Sequence, residues 1–358
     1  MRIAIIGAGW YGCHLSCTLA ALGLDVTVYE QHTRLLHEAS GNNQFRLHQG
    51  FHYPRHHGTR MQSRDGFTRF VERYPDLSIA RPHNIYAISE HESSMDFHTY
   101  RLIMTATGTE FTELTQAPVS LQHVSGMLAT QERVLMLART REYFFSKLSN
   151  RLRLGQRIDH IDTIANYVTI DGDLYDYVID ATWGHLTAPA NQVFYEPTVL
   201  LSYEGPPEFP ALTFVDGPLC SVYPTEDAQI FTLSSVVHTP LGRFLTSSEA
   251  RQRLCEVDRD LISVKRVKME EQISYYYPDF GACFRFIGPQ LAIKTKPIGN
   301  YDDRSCSVSR NGRIFSVMSG KIDTIFTAAE RVLSLLQMTT ESTIVVPQIR
   351  DDIVEGMR

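Results

Sequence analysis

An α/β fold is expected of this chain from three observations. Residues 1–30 read as strand, glycine turn, helix and strand. Two later segments, Leu152–Ile158 and Tyr175–Gly184, read as further strands of the same layer, and residues 186–300 hold short β-rich runs separated by proline and glycine turns. Together they predict a Rossmann-like dinucleotide-binding domain interleaved with an antiparallel-sheet substrate domain.

The first element is the most specific. The apolar run Ile3–Ile6 precedes Gly7-Ala-Gly9-Trp-Tyr-Gly12, and Val26–Glu30 forms the second strand. Gly7 allows the tight turn, Gly9 lets the backbone approach a pyrophosphate, and Gly12 lets the helix pack against the strand. The helix opens at Trp10 and Tyr11, where unpaired N–H groups and a partial positive charge suit phosphates. Glu30, with Gln31 after it, ends the second strand about 20 residues on, where a carboxylate binds ribose hydroxyls and repels a 2′-phosphate. FAD or NAD is therefore favoured over NADP.

Composition narrows the class. The net charge of -6 argues against a nucleic-acid partner, although the cluster Arg55-His-His-Gly-Thr-Arg60 asks for an explanation. The six cysteines have no zinc or redox spacing, and Cys13 and Cys17 lie one helical turn apart, so reduced thiols in a cytoplasmic enzyme are expected. No stretch approaches the roughly eighteen apolar residues of a membrane span. The glycine spacing argues against a signal peptide at the N-terminus. No metal site, nucleophile elbow or P-loop is legible.

The segment Ala39-Ser-Gly-Asn-Asn-Gln-Phe-Arg-Leu-His-Gln-Gly-Phe-His-Tyr53 is polar and histidine-rich, unlike a routine crossover helix. It resembles the Ser-Gly-x-Asn…Leu-His-x-Gly-x-x-Tyr stretch of 2-hydroxyglutarate dehydrogenases and oxidases, members of the D-amino-acid-oxidase-like superfamily of FAD-dependent oxidoreductases. The resemblance implies Ser40, Asn42 and Asn43 along the FAD and His48 beside the flavin, a loop-fixing histidine being the alternative. Phe45, Arg46 and His52 depart from that pattern.

Two more segments carry the likeness. After an expected helix from Thr140 to Leu148, the resemblance implies that Ile158 lies near the adenine and that Ala181, Thr182 and Gly184 form a turn under the cofactor, with Trp183 intruding. Near the C-terminus, Gly312–Val332 goes strand, turn, helix. The likeness places Gly320, Lys321 and Ile322 at the flavin N1–C2=O edge, an exposed helix-start lysine being the alternative for Lys321. The expected division is residues 1–77, 136–185 and 301–358 for the FAD domain, and 78–135 with 186–300 for the substrate cap.

In the cap, Thr198–Tyr203 and Ile230–Val237 are expected strands, and so is Tyr275–Tyr277 with alternate tyrosines on opposite faces. Tyr223, His238 and Arg243 sit beside turns, where side chains line cavities or merely shape hairpins. Lys294 and Lys296 share one strand face and suit a substrate carboxylate, reduced oxygen or solvent. His48 and His52 are the candidate proton acceptors, while Arg46, Arg55 and Arg243 suit an acidic group and Tyr53 is expected at the substrate.

The implied activity is oxidation of a C–H bond α to a hydroxyl or amine of a small, acidic substrate. Hydride would pass to flavin N5 and then electrons to O2 or another acceptor. A flavin-dependent mutase or isomerase and an NAD-dependent dehydrogenase are the alternatives.

Overall fold

A computed structural model describes residues 1–164, 166–299 and 303–340. The first strand, β1 (Arg2–Ile6), has four buried residues in five because it lies in the middle of a six-stranded sheet covered on both faces. It pairs in parallel with β2 (Asp25–Glu30) on one side and with Tyr177–Asp180 on the other. Leu152–Leu154 extends the sheet beyond β2, a shorter strand than Leu152–Ile158. At the opposite edge the chain returns as Ile314–Met318, parallel to Tyr177–Asp180, with Ser307–Asn311 antiparallel outside it.

Helix α1 (Trp10–Ala21), α2 (His57–Arg73), Leu137–Leu148 and Ile325–Thr340 share one core with this sheet, in which Trp10, Phe70, Phe144 and Phe326 are buried. On the other side a small antiparallel sheet of Asp162–Ile164, Tyr167–Ile170 and Asp173–Tyr175 covers Ala4, Ile6 and Tyr29. The basic cluster at residues 55–60 opens α2. There the buried Arg60 donates to the Pro54 carbonyl at 2.7 Å and to Thr107 Oγ1 at 2.6 Å, a structural role that needs no polyanion.

The second sheet has eight strands and draws on residues 84–130 and 193–297. Its longest pair, Val193–Glu204 with Arg285–Pro297, is antiparallel, as expected of the cap. One pairing departs from that expectation: Ala211–Phe214 runs parallel to Asn84–Ser89 and joins the two chain segments.

Tyr275–Tyr277 also departs, since Tyr275 and Tyr276 end the helix Arg259–Tyr276 and Tyr277 follows as its cap. The physical reason is a period of three to four rather than two. Met269, Ile273 and Tyr276 are buried against the sheet while Tyr275 is 41% exposed. Asp258 caps the first turn by accepting from Leu261 N–H at 2.8 Å, and Arg266 pairs with Glu270 at 2.7 Å along the helix.

A three-stranded sheet of Arg46–Leu47, Ser78–Ala80 and Arg133–Leu135 connects the two large layers. It fixes the segment that carries Arg46 and His48.

Candidate active site

The glycine turn is built as the sequence requires. Gly7 has φ +96°, a Cβ on Gly9 would stand 2.8 Å from Ser40 Oγ, and one on Gly12 would stand 1.9 Å from the Gly7 carbonyl oxygen. A backbone without side chains therefore faces the opening at the start of α1, a cradle that fits a dinucleotide pyrophosphate. Glu30 is buried at the end of β2 and accepts from Ala8 N–H at 2.8 Å and His32 N–H at 2.9 Å. These contacts hold the carboxylate beside the glycine turn. Gln31 donates to Glu38 at 3.2 Å.

Ser40, Asn42 and Asn43 line one cavity together with Gly9, Trp10, Tyr11, Ala181, Gly320, Lys321 and Ile322. The two asparagines also fix their own loop: Asn42 donates to the His37 carbonyl at 2.7 Å, and Asn43 to the Ala39 carbonyl at 2.8 Å. The Trp10 ring is buried against Phe70 and Phe144, so its place in the core is structural. Tyr11 reaches across the chain, its hydroxyl donating to the Lys321 carbonyl beside Thr324 Oγ1 at 2.7 Å. Helix α1 and the turn before the last helix are thereby tied together.

Other expected cofactor contacts sit further back. Ile158 is buried near Tyr29 and Tyr175, Thr182 donates through N–H and hydroxyl to Asp180, and Gly184 adopts φ +77°. Trp183 does reach the cavity, and its carbonyl accepts from Thr295 Oγ1 at 2.8 Å.

The cavity encloses about 670 Å³ and extends from the glycine turn to the face of the second sheet. His48, His52 and Tyr53 line its middle, while Lys294, Lys296, Glu196, Arg243 and Arg304 line the sheet side. Arg46 is buried there, donating to Thr213 Oγ1 at 2.7 Å and Gln44 Oε1 at 2.9 Å, with its guanidinium 4.1 Å from the Tyr223 ring centre. Lys321 is also buried rather than exposed, its ammonium 4.1 Å from the Tyr53 ring centre.

Burial, aided by the charges of Lys321 and Arg46, pushes both imidazoles well below the usual histidine range. Neutral rings at neutral pH can accept protons. Burial, with Lys296 beside it, lowers the Lys294 ammonium to about 8. Lys296 pairs with the buried Glu196, and Arg55 with Asp216.

Two expected substrate residues are placed elsewhere. Tyr223 is fully buried beneath Arg46 and accepts from Asn84 Nδ2 at 2.9 Å, so it supports the guanidinium and does not line the cavity. His238 lies in a turn beside Lys265 and Lys268, also off the cavity lining, where its backbone N–H donates to Ser235 Oγ at 3.1 Å. The loop Pro297–Asp303 falls partly outside the described residues.

Sequence reasoning missed Glu196 and Glu132. Glu196 stands opposite Lys294 in strand register, an acid facing a lysine that pattern could have suggested, although its ion pairs are with Lys296 and Arg243. Glu132, in a polar turn, gives no such signal. Among the described residues one surface group, Glu90, His91 and His123, has metal-ligand chemistry, and none of the three lines this cavity.

Fold and site thus define a dinucleotide-binding enzyme with a cavity lined by several basic side chains. Residues 2–117 match the family described as FAD dependent oxidoreductase. A protein described as an FAD-dependent monooxygenase from Fusarium mangiferae is 59% identical over 93% of this chain and 90% of its own length. Another from Aspergillus flavus, also described as an FAD-dependent monooxygenase, is 27% identical over 94% of this chain and 86% of its own length. Glycine oxidase from Geobacillus kaustophilus has the same fold, with TM-score 0.72 and 13% identity over 94% of this chain and 95% of that one. The chain belongs to the FAD-dependent oxidoreductases, and FAD is its cofactor.

Proposed function

We propose that this enzyme oxidises a small acidic substrate at a C–H bond α to a hydroxyl or amine, within the cavity between the two large sheets. The observation that carries the reading is the set Arg46, Lys294 and Lys321. These basic side chains line the cavity beside His48 and His52 and have no ion pair among the described residues, whereas Arg55 and Lys296 do. Taking a cation out of water is costly, and the nearby carboxylates of Glu132, Asp323 and Glu196 make no direct ion pair with these three. An acidic ligand supplies a direct counter-charge.

The substrate loses two electrons and two protons overall, and bound FAD supplies the two-electron acceptor from which O2 or another acceptor is later reduced. The chain's own residues bind and deprotonate. His48 or His52, neutral and buried, takes the proton of the substrate heteroatom. Arg46, Lys294 and Lys296 hold the acidic end, Arg243 stands at the same wall beside Glu196, and Tyr53 closes the side next to Lys321. The likeness of residues 39–53 to 2-hydroxyglutarate enzymes favours a hydroxy acid over an amine. A cytoplasmic setting is in keeping with six free cysteines.

The description of the 59% identical relative supports a second reading, insertion of one oxygen atom from O2 into the substrate. That reaction consumes a nicotinamide reductant and releases the second oxygen atom as water. Anaerobic titration separates the two: 2-hydroxy or amino acids bleach the flavin directly in the first case. In the second, only NADH or NADPH does so.

A further inference from the structure

Behind His48, on the side away from the cavity, lies the carboxylate of Glu132. It is 1% exposed, at the turn between Val124–Thr130 and Arg133–Leu135. Its Oε1 accepts from Gln49 N–H at 2.7 Å and its Oε2 from the Tyr86 hydroxyl at 2.7 Å. Its backbone carbonyl accepts from Asn84 Nδ2 at 3.1 Å, so main chain and side chain are both held. His48 Nδ1 stands 3.4 Å from Oε2, a separation that a small ring rotation closes to a hydrogen bond.

We propose that Glu132 is a positioning residue that holds His48 with its proton on Nδ1, leaving Nε2 free to take a proton in the cavity. The amide of Gln49 can only donate, and the Tyr86 hydroxyl donates to the anion, so the carboxylate is presented to His48 as an acceptor. A neutral imidazole carries one N–H. Facing a carboxylate oxygen, Nδ1 must bear it, since two lone pairs would otherwise meet. When Nε2 gains a proton, the resulting cation sits against the buried anion and is stabilised by it.

Burial pushes the Glu132 carboxyl upward, while the Tyr86 hydroxyl, the Gln49 N–H and the charges of Arg46 and Lys321 favour its ionised form. His48 is faced by Arg46 from the connecting strand, by Lys321 from the turn before the last helix and by His52 and Tyr53 from its own segment, and both cations oppose protonation. Glu132 is the one carboxylate in contact with His48 among the described residues. Asp323, Tyr86, Tyr100 and Tyr223 are the further ionisable groups around Glu132. The proposal rests on His48 being the proton acceptor of the reading above.

The test is nitrogen NMR on FAD-loaded protein labelled at histidine, with the His48 signal assigned by its loss in His48→Gln. The expected result is an Nδ1–H tautomer in the parent protein, a shift towards Nε2–H in Glu132→Gln, and recovery in Glu132→Asp. Thermal melting and FAD retention check that each variant is folded. If Glu132→Gln does not fold, the parent tautomer and Glu132→Asp decide. An Nε2–H tautomer in the parent, or an unchanged tautomer in Glu132→Gln, overturns the proposal. Failure of the underlying reading shows separately: His48→Gln would then leave substrate bleaching of the flavin unchanged while the tautomer result stood.

Discussion

Gly12 shows how little room the dinucleotide turn leaves. A Cβ there would lie 1.9 Å from the Gly7 carbonyl oxygen, and that atom is backbone and cannot step aside. Gly12→Ala should therefore lower stability by roughly 1–3 kcal/mol and abolish FAD retention, measured by thermal melting and by the flavin-to-protein absorbance ratio. This residue was legible in the sequence because its chemistry is local. Lys294 was half legible. Strand period two placed it on the face of Lys296, but its altered acidity follows from burial and from neighbours distant in sequence. With a value near 8, Lys294 loses its charge as pH rises through that point. The affinity for an acidic ligand should fall over the same range, and Lys294→Met should flatten that part of the profile in a binding titration with a 2-hydroxy acid. The unfolded lysine titrates near 10.4, so between the two values the unfolded chain holds more protons, and the penalty this buried group imposes on folding shrinks as pH rises.

At the scale of elements, α2 and the turn before the last helix meet where a side chain would not fit. A Cβ on Gly66 would stand 1.8 Å from the Asp323 carbonyl oxygen, and Tyr11 from α1 binds the same turn through the Lys321 carbonyl. The Lys321 turn is thus set by two helices from the other end of the chain. Gly66→Ala should push α2 away, destabilise by about 1–3 kcal/mol and weaken FAD binding. Gly281→Ala, with nothing within 4 Å of the added carbon, should change stability by no more than about 1 kcal/mol in a denaturant titration. Elements were unequally readable. β1, α1 and β2 announced themselves because apolar periodicity, glycine spacing and the terminal acid agree. The helix Arg259–Tyr276 did not, since three successive tyrosines suggested a strand while its cap Asp258 and its buried Met269 and Ile273, which share a face with Tyr276, lie further back in the pattern. The capping box of Thr246 and Glu249 marks the start of the helix Ser247–Cys255 through local chemistry alone.

Across the whole molecule, the site exists only because the chain crosses between layers several times. The glycine turn comes from residues 7–12, the histidines from 48–52, the lysine pair from 294–296 and the Lys321 turn from the C-terminal return. The sequence could mark each segment, yet the pairing of Glu132 with His48 and of Tyr223 with Arg46 depends on register between sheets, which no local pattern carries. A ligand that spans these segments should stabilise all of them together. FAD at 100 times its dissociation constant should add about 2.7 kcal/mol and raise the melting temperature of flavin-depleted protein by several degrees. The central claim, an acidic substrate oxidised by bound FAD in a basic cavity, is tested most directly by the absorption spectrum during anaerobic titration with 2-hydroxy acids and amino acids. The account predicts a yellow protein whose flavin bands bleach with one of these classes and no added reductant. A flavin that bleaches only with NADH or NADPH, or a colourless protein that FAD does not reconstitute, would contradict it.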